Sequence, residues 1–142
     1  MVMKTEINWR HNVCFDALSE SGHKIVMDGS PDHGGENAGA RPMELLLICM
    51  GGCTGFDVVG ILKKARADLH SLKIELEAKR AEEVPAVFTN IHVHFILTGE
   101  GLKESLVERA INLSAKKYCS ASIMLGQTAK ITHSFDILEP SS

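Results

Sequence analysis

Between residues 42 and 67 the chain reads PMELLLICMGGCTGFDVVGILKKARA, a stretch with almost no polar side to offer as a helix. Pro42 suits the first helical turn, where its missing N–H costs nothing. Glu44 near the start and Lys63, Lys64 and Arg66 near the end complement the helix dipole. A helix from about 42 to 67 is therefore expected, apolar on every face. Such a helix has to be enclosed on all sides, and in a chain of 142 residues that points to a second subunit. Gly51, Gly52 and Gly55 weaken helix propensity, which predicts close approach by another backbone. The apolar run closes at Asp57, short of the roughly 18 residues that span a bilayer, so a buried helix rather than a membrane span is expected.

The rest of the chain frames this helix. Residues 5 to 28 show partial alternation on either side of SESG, which predicts two or three short strands in a meander. Residues 29 to 42, GSPDHGGENAGARP, are too rich in Gly, Asn and Asp for a core segment and read as a loop. Beyond the helix, HSLKIELEAKR (70–80) and AVFTNIHVHFILTG (86–99) alternate as two long strands, joined by EEVP and expected to pair antiparallel. An amphipathic helix is predicted over 101–119, a short one over 120–129 ending near Gly126, and a closing strand over 130–138. The order is βββ-α-ββ-αα-β, an α+β class in one domain spanning 1–142. The net charge of −3, with no basic cluster, argues against a nucleic-acid partner. MVMKTEINWR lacks the apolar run of a signal peptide, and four cysteines in such a chain are not a disulfide scaffold. A cytoplasmic location, with no membrane partner, is the resulting expectation.

Three of the cysteines invite a chemical reading. Cys49 and Cys53, spaced i and i+4, share a helix face and offer a metal half-site or a redox pair. A disulfide within one regular helix is strained, and buried filler is the simpler account of two such thiols. Cys119 opens the short helix in KKYCSASIML. A helix N-terminus favours an anion, so a lowered thiol pKa is expected there, helped by Lys116 and Lys117 if they face it. A central-helix thiol and a helix-start thiol, if they meet, can act together: one is oxidised to a sulfenic acid and the other condenses with it. His92 and His94 on one strand face, with His133 on a neighbouring strand, offer zinc ligands with a cysteine as a rival. Their spacing matches no strong zinc signature, and no metal is assigned.

RPMELLLICMGGCTGFDVVGIL, followed some sixty residues later by AKKYCSASIMLGQTAKITHSF, resembles the OsmC/Ohr family, the osmotically inducible protein C and organic hydroperoxide resistance proteins. SGHKIVMDG, GGC, DVV and KYCS bring the resemblance nearest to its YhfA-like bacterial branch. It covers nearly the whole chain. It implies an OsmC-like fold, in which antiparallel sheet wraps a long central helix within an intertwined homodimer. It further implies a peroxidatic thiol at Cys53 and a resolving thiol at Cys119, while Cys49 and Cys14 match no functional position. The implied activity is reduction of organic hydroperoxides, with a dithiol as electron donor and no cofactor.

The sequence departs from the family pattern where that thiol is activated. The family's arginine falls at Met27 and Asp28, and its glutamate at Met43. Glu44 is one place off, turned by about 100° on a helix, and Arg41 is the cation beside the helix start; these two are the candidate activators. Without a nearby cation burial raises a thiol pKa, and an unpaired Asp28 would add to that. Weak peroxidase activity is the leading expectation. The alternative is a non-catalytic dimer that holds a small apolar ligand at its interface.

Overall fold

The computed structural model describes residues 1–141. The chain divides into two compact units, Met1–Leu46 and Leu47–Ser142. In the first, β1 (Glu6–His11), β2 (Cys14–Leu18) and β3 (Lys24–Met27) form an antiparallel meander in that order. The predicted turn at SESG is closed by Gly22, whose N–H donates to the Ser19 carbonyl at 2.9 Å. Gly22 sits at φ 88°, a conformation that favours glycine. Residues 28–41 form the expected loop, with a single 3₁₀ turn at Pro31–His33.

Asp28 organises that loop. Its side chain accepts the backbone N–H of Gly29 at 2.7 Å, and of Glu36 and Ala38 at 3.1 Å each. Asp28 is thus not the unpaired carboxylate the sequence suggested. These bonds, Ala38's first, hold its pKa below the ordinary carboxylate value despite burial.

The helix α1 runs Pro42–Lys64. Arg41 is its N-cap: the Arg41 carbonyl accepts the Leu45 N–H at 3.0 Å, and Glu44 reaches back to the Arg41 N–H at 2.8 Å. That is the return half of a capping box. The helix ends three residues before the predicted boundary. Arg66 turns left-handed at φ 59°, while Ala67 donates to the Leu62 carbonyl and Arg66 to that of Lys63, both at 3.0 Å. This is a Schellman stop without glycine.

In the second unit β4 (Asp68–Arg80) and β5 (Phe88–Glu100) pair antiparallel as expected, with Leu72, Ile74 and Leu76 opposite Leu97, Phe95 and Val93. The strand β6 (Lys130–Leu138) pairs with β5 in parallel. This sheet is therefore mixed rather than wholly antiparallel, because the intervening helices carry the chain back to the end where β5 began. The predicted helix over 101–119 is interrupted. It consists of α2 (Glu104–Leu113) and a π-helical turn (Ser114–Tyr118), after which the chain extends at Cys119 and re-enters α3 (Ser120–Leu125).

Met50, Thr54, Val58 and Leu62, spaced one turn apart on α1, are buried with Ile91, Val93, Phe95 and Leu97 of β5 and Val107, Ala110 and Ile111 of α2. Within this chain the small side of α1 meets side chains of β4 at Gly51 and Gly55, while Gly52 is open. A Cβ on Gly51 would lie 2.8 Å from Leu76 Cδ1, and one on Gly55 3.0 Å from Ile74 Cδ1. The other faces stay open: Phe56 is 85% and Ile48 59% exposed. By length and composition α1 could cross a membrane. The run ending at Phe56 understated this, since the apolar character resumes after Asp57.

Candidate functional site

Cys53 lies one turn before Asp57 on α1, beside the buried stripe, and is half-buried; Cys49, one turn earlier, is exposed. The i, i+4 relation of these two brings neither to the other's service. Cys53 instead meets Cys119, which comes from the far end of the crossover. Its side chain lies near enough to Cys119 to act on that thiol's protonation. Both are free thiols.

Cys119 is fully buried and is the N-cap of α3. Its sulfur accepts the Ser122 N–H at 3.3 Å and the Ser122 hydroxyl at 3.1 Å. These donors favour the thiolate, as a helix start should. Burial outweighs them, and neighbouring Cys53 adds to burial, so the Cys119 pKa stands above the ordinary thiol value. The expected lowering is therefore reversed. Lys116 and Lys117 do not rescue it: both are exposed, and Lys117 lies over the Tyr118 ring at 5.3 Å.

A second set of polar groups links the two thiol-bearing elements. The Ser114 hydroxyl donates to Asp57 Oδ2 at 2.9 Å, so it accepts the Thr54 O–H at 2.8 Å. The Ser114 carbonyl accepts the Cys119 N–H at 2.8 Å. Thr54 and Ser114 are wholly buried. None of these residues stood out in the sequence. Ser122 could have, since its distance from Cys119 is that of an N3 donor to a cap. Ser114 could not, because its partners on α1 are nearly sixty residues away.

Arg41 and Glu44 are engaged at the head of α1. The guanidinium of Arg41 donates to Asn37 Oδ1 at 2.7 Å and to the Gly39 carbonyl at 3.1 Å. Glu44 is the cap partner described above. Cys14 is buried in β2, and burial followed by the charge of Asp28 pushes its thiol pKa up.

The histidines do not gather. His133 pairs with Val93, so it faces the core, stacked on Phe95 with ring centroids 6.2 Å apart. Burial, and then His92, lowers its pKa, and its Nε2 has no hydrogen-bond partner. His92 and His94 face the other way and form a line with β6: Thr132 Oγ1 to His92 Nδ1 at 2.6 Å, His92 Nε2 to Ser134 at 2.7 Å, Ser134 to His94 Nδ1 at 2.6 Å, and His94 Nε2 to Asp136 at 3.0 Å. Strand alternation thus separates the three rings that a zinc site would need. Among the described residues no group of three or more His, Cys, Asp or Glu is placed to hold a metal ion.

A groove of about 750 Å³ runs between α1 and β4, lined by Ile48, Gly52, Gly55, Val59, Leu72 and Ile74 among others. It passes residues on either side of Cys53 in sequence and is chiefly apolar in its side chains.

Comparison with known proteins matches the model of the OsmC-like protein family to residues 34–134. Protein YhfA of Escherichia coli K12 is 43% identical over 136 residues, covering 96% of this chain and 98% of that protein. The crystal structure of a hypothetical protein from Aquifex aeolicus VF5 superposes with a TM-score of 0.87 at 31% identity, over 99% of both chains. An organic hydroperoxide resistance protein OsmC from Legionella pneumophila shares the fold at a TM-score of 0.70 and 14% identity, over 96% of this chain and 97% of that one.

Proposed function

The chain belongs to the OsmC-like protein family, and from that premise we propose that it is a thiol-dependent peroxidase of organic hydroperoxides, working through Cys53 and Cys119. The observation that carries this reading is the meeting of two free thiols from elements far apart in sequence. Cys53, the less buried, attacks the outer peroxide oxygen. It takes that oxygen as a sulfenic acid, and the departing alkoxide takes a proton to leave as an alcohol. The Cys119 thiol then attacks the Cys53 sulfur, a disulfide forms, and water leaves. A dithiol donor supplies the two electrons and two protons that restore both thiols. The apolar groove along α1 suits the organic part of the substrate.

The reaction is slow in this reading, because among the described residues no cation draws Cys119 towards its thiolate, and burial opposes the charge. Arg41 and Glu44 contribute by fixing the start of the helix that bears Cys53, rather than as an activating pair. The two units act as one OsmC-like domain, since the span matched by the family crosses their boundary. The exposed apolar side chains, Phe56 and Ile48 on α1 and Trp9 and Ile7 on β1, are covered by a second copy in a homodimer. Four free cysteines suit a reducing compartment, hence the cytoplasm.

The apolar groove also favours a second reading, a dimer that binds a small apolar ligand and does no chemistry. One assay separates the two: turnover of an organic hydroperoxide with a small dithiol donor, wild type against Cys53→Ser. Turnover that falls to background in the variant supports the peroxidase. A variant as active as wild type sinks it, and a wild type without turnover leaves the ligand-binding reading.

A further inference from the structure

Ser114 stands where the two thiol-bearing segments are joined, and it makes one contact to each by a different part of itself. Its hydroxyl is held between Thr54 and Asp57, the first directly following Cys53 and the second one turn beyond it. Its carbonyl holds the N–H of Cys119. That last bond spans five residues and is the π-type bond that closes the Ser114–Tyr118 turn. An α-helical continuation of α2 would have carried Cys119 onward in the same helix. The wider turn ends the helix and leaves Cys119 extended, at φ −79° and ψ 101°, as the cap of α3. Single π turns of this kind occur often at functional sites.

We propose that Ser114 is the positioning residue of the thiol pair: by tying α1 to the π turn it sets Cys119 against Cys53 and so fixes how readily the two close into a disulfide. This deepens the peroxidase reading and rests on it for its biological use. The physical content is that of an effective concentration. A buried hydroxyl with one donor and one acceptor bond in place cannot slide along α1 without leaving a polar group unpaired. An apolar residue of the same size packs equally well but permits such sliding. Thr54 and Asp57 are part of the device only as the fixed points to which Ser114 is tied.

The test is the reduction potential of the Cys53–Cys119 pair in a glutathione buffer, in which glutathione disulfide takes the two electrons and becomes two thiols. No hydroperoxide is involved. Ser114→Ala is expected to weaken disulfide closure about tenfold, a rise of about 30 mV for a two-electron couple. Asp57→Asn, which keeps an acceptor for the Ser114 O–H, is expected to stay near the wild-type potential. Thr54→Val, nearly isosteric, loses one of the two ties and should fall between them; it carries the test if Ser114→Ala does not fold. A wild-type potential in Ser114→Ala, or in Thr54→Val if that variant has to stand in for it, overturns the proposal, as does failure of the wild-type thiols to form the disulfide. A melting temperature that drops while the potential stays put would mark Ser114 as structural only, and would overturn it equally. If the potentials shift as expected but no hydroperoxide is consumed, the peroxidase reading fails and the positioning role stands.

Discussion

Asp28 and Cys119 are both buried, both ionisable and both held by hydrogen-bond donors, yet their pKa values move in the direction of opposite charge states. Asp28 accepts three backbone N–H groups and is stabilised as the carboxylate. Cys119 accepts two donors from Ser122 and is nonetheless pushed towards the neutral thiol. Sulfur spreads its charge and accepts weakly, whereas a carboxylate offers two strong acceptors. A neighbour that is itself a thiol adds no positive charge. Two donors at a buried sulfur do not offset what burial takes away. A buried site therefore takes its charge state from the balance of donors against desolvation, and a helix start alone does not decide it.

The largest effect is expected from breaking the Asp28 side of this contrast. Asp28→Ala leaves the N–H groups of Gly29, Glu36 and Ala38 without their acceptor in the loop. Their amide exchange should speed up by roughly a hundredfold or more, given what bonds to charged groups contribute. Exchange left unchanged there would mean that the loop is held by other bonds. The pH dependence has a definite sign. The folded pKa is below the unfolded one, so the stabilisation is present above the ordinary carboxylate pKa and is lost as pH falls through the lowered folded value. Thermal melts of wild type and Asp28→Asn should converge as the solution is acidified through that range.

The Cys119 side should respond less, and at the alkaline rather than the acid end of the pH range. Its thiolate grows as pH rises, and the raised pKa places that growth above the ordinary thiol range. Closure of the disulfide from a preformed Cys53 sulfenic acid should therefore still be accelerating where an unperturbed thiol has levelled off. Ser122→Ala removes the hydroxyl donor and leaves the N–H donor. It should slow closure at neutral pH about tenfold, in line with one lost bond to a charged acceptor. A rate that is flat with pH, or unaffected by Ser122→Ala, would mean that Cys119 does not resolve as its own thiolate.

What the sequence revealed of this site follows the range of the forces involved. The start of α1 at Pro42 and of α3 after Cys119 was legible, because capping is local chemistry. So was the pairing of β4 with β5, whose alternation is strict. The sign of the Cys119 shift was not, since it depends on burial and on Cys53, which is remote in the chain. Nor was the break at Ser114, as the amphipathic pattern from Leu102 to Leu113 gives no hint that the next turn widens. The parallel course of β6 was hidden for a related reason: a single strand with alternating residues carries no mark of its direction. His133 was read with His92 and His94, although its odd position places it on the other face of its sheet.

The line of groups from Thr132 to Asp136 extends the contrast to the surface, and there the smallest effect is expected. With neutral rings only one polarity satisfies every atom. His94 Nε2–H donates to Asp136, so Nδ1 accepts from Ser134; Ser134 in turn accepts from His92 Nε2–H, and His92 Nδ1 accepts from Thr132. Ser134 is the only member that links the two rings. Ser134→Ala breaks two bonds at once, but water can reach the exposed parts of this face and replace much of what is lost. The expected loss is about 1 kcal/mol in urea unfolding, seen as a lower midpoint with an unchanged slope. A loss of several kcal/mol would place this line with Asp28 and Cys119 as a site where the partner cannot be replaced, and a pair of free imidazoles would then have to be counted among the groups that hold β5 against β6.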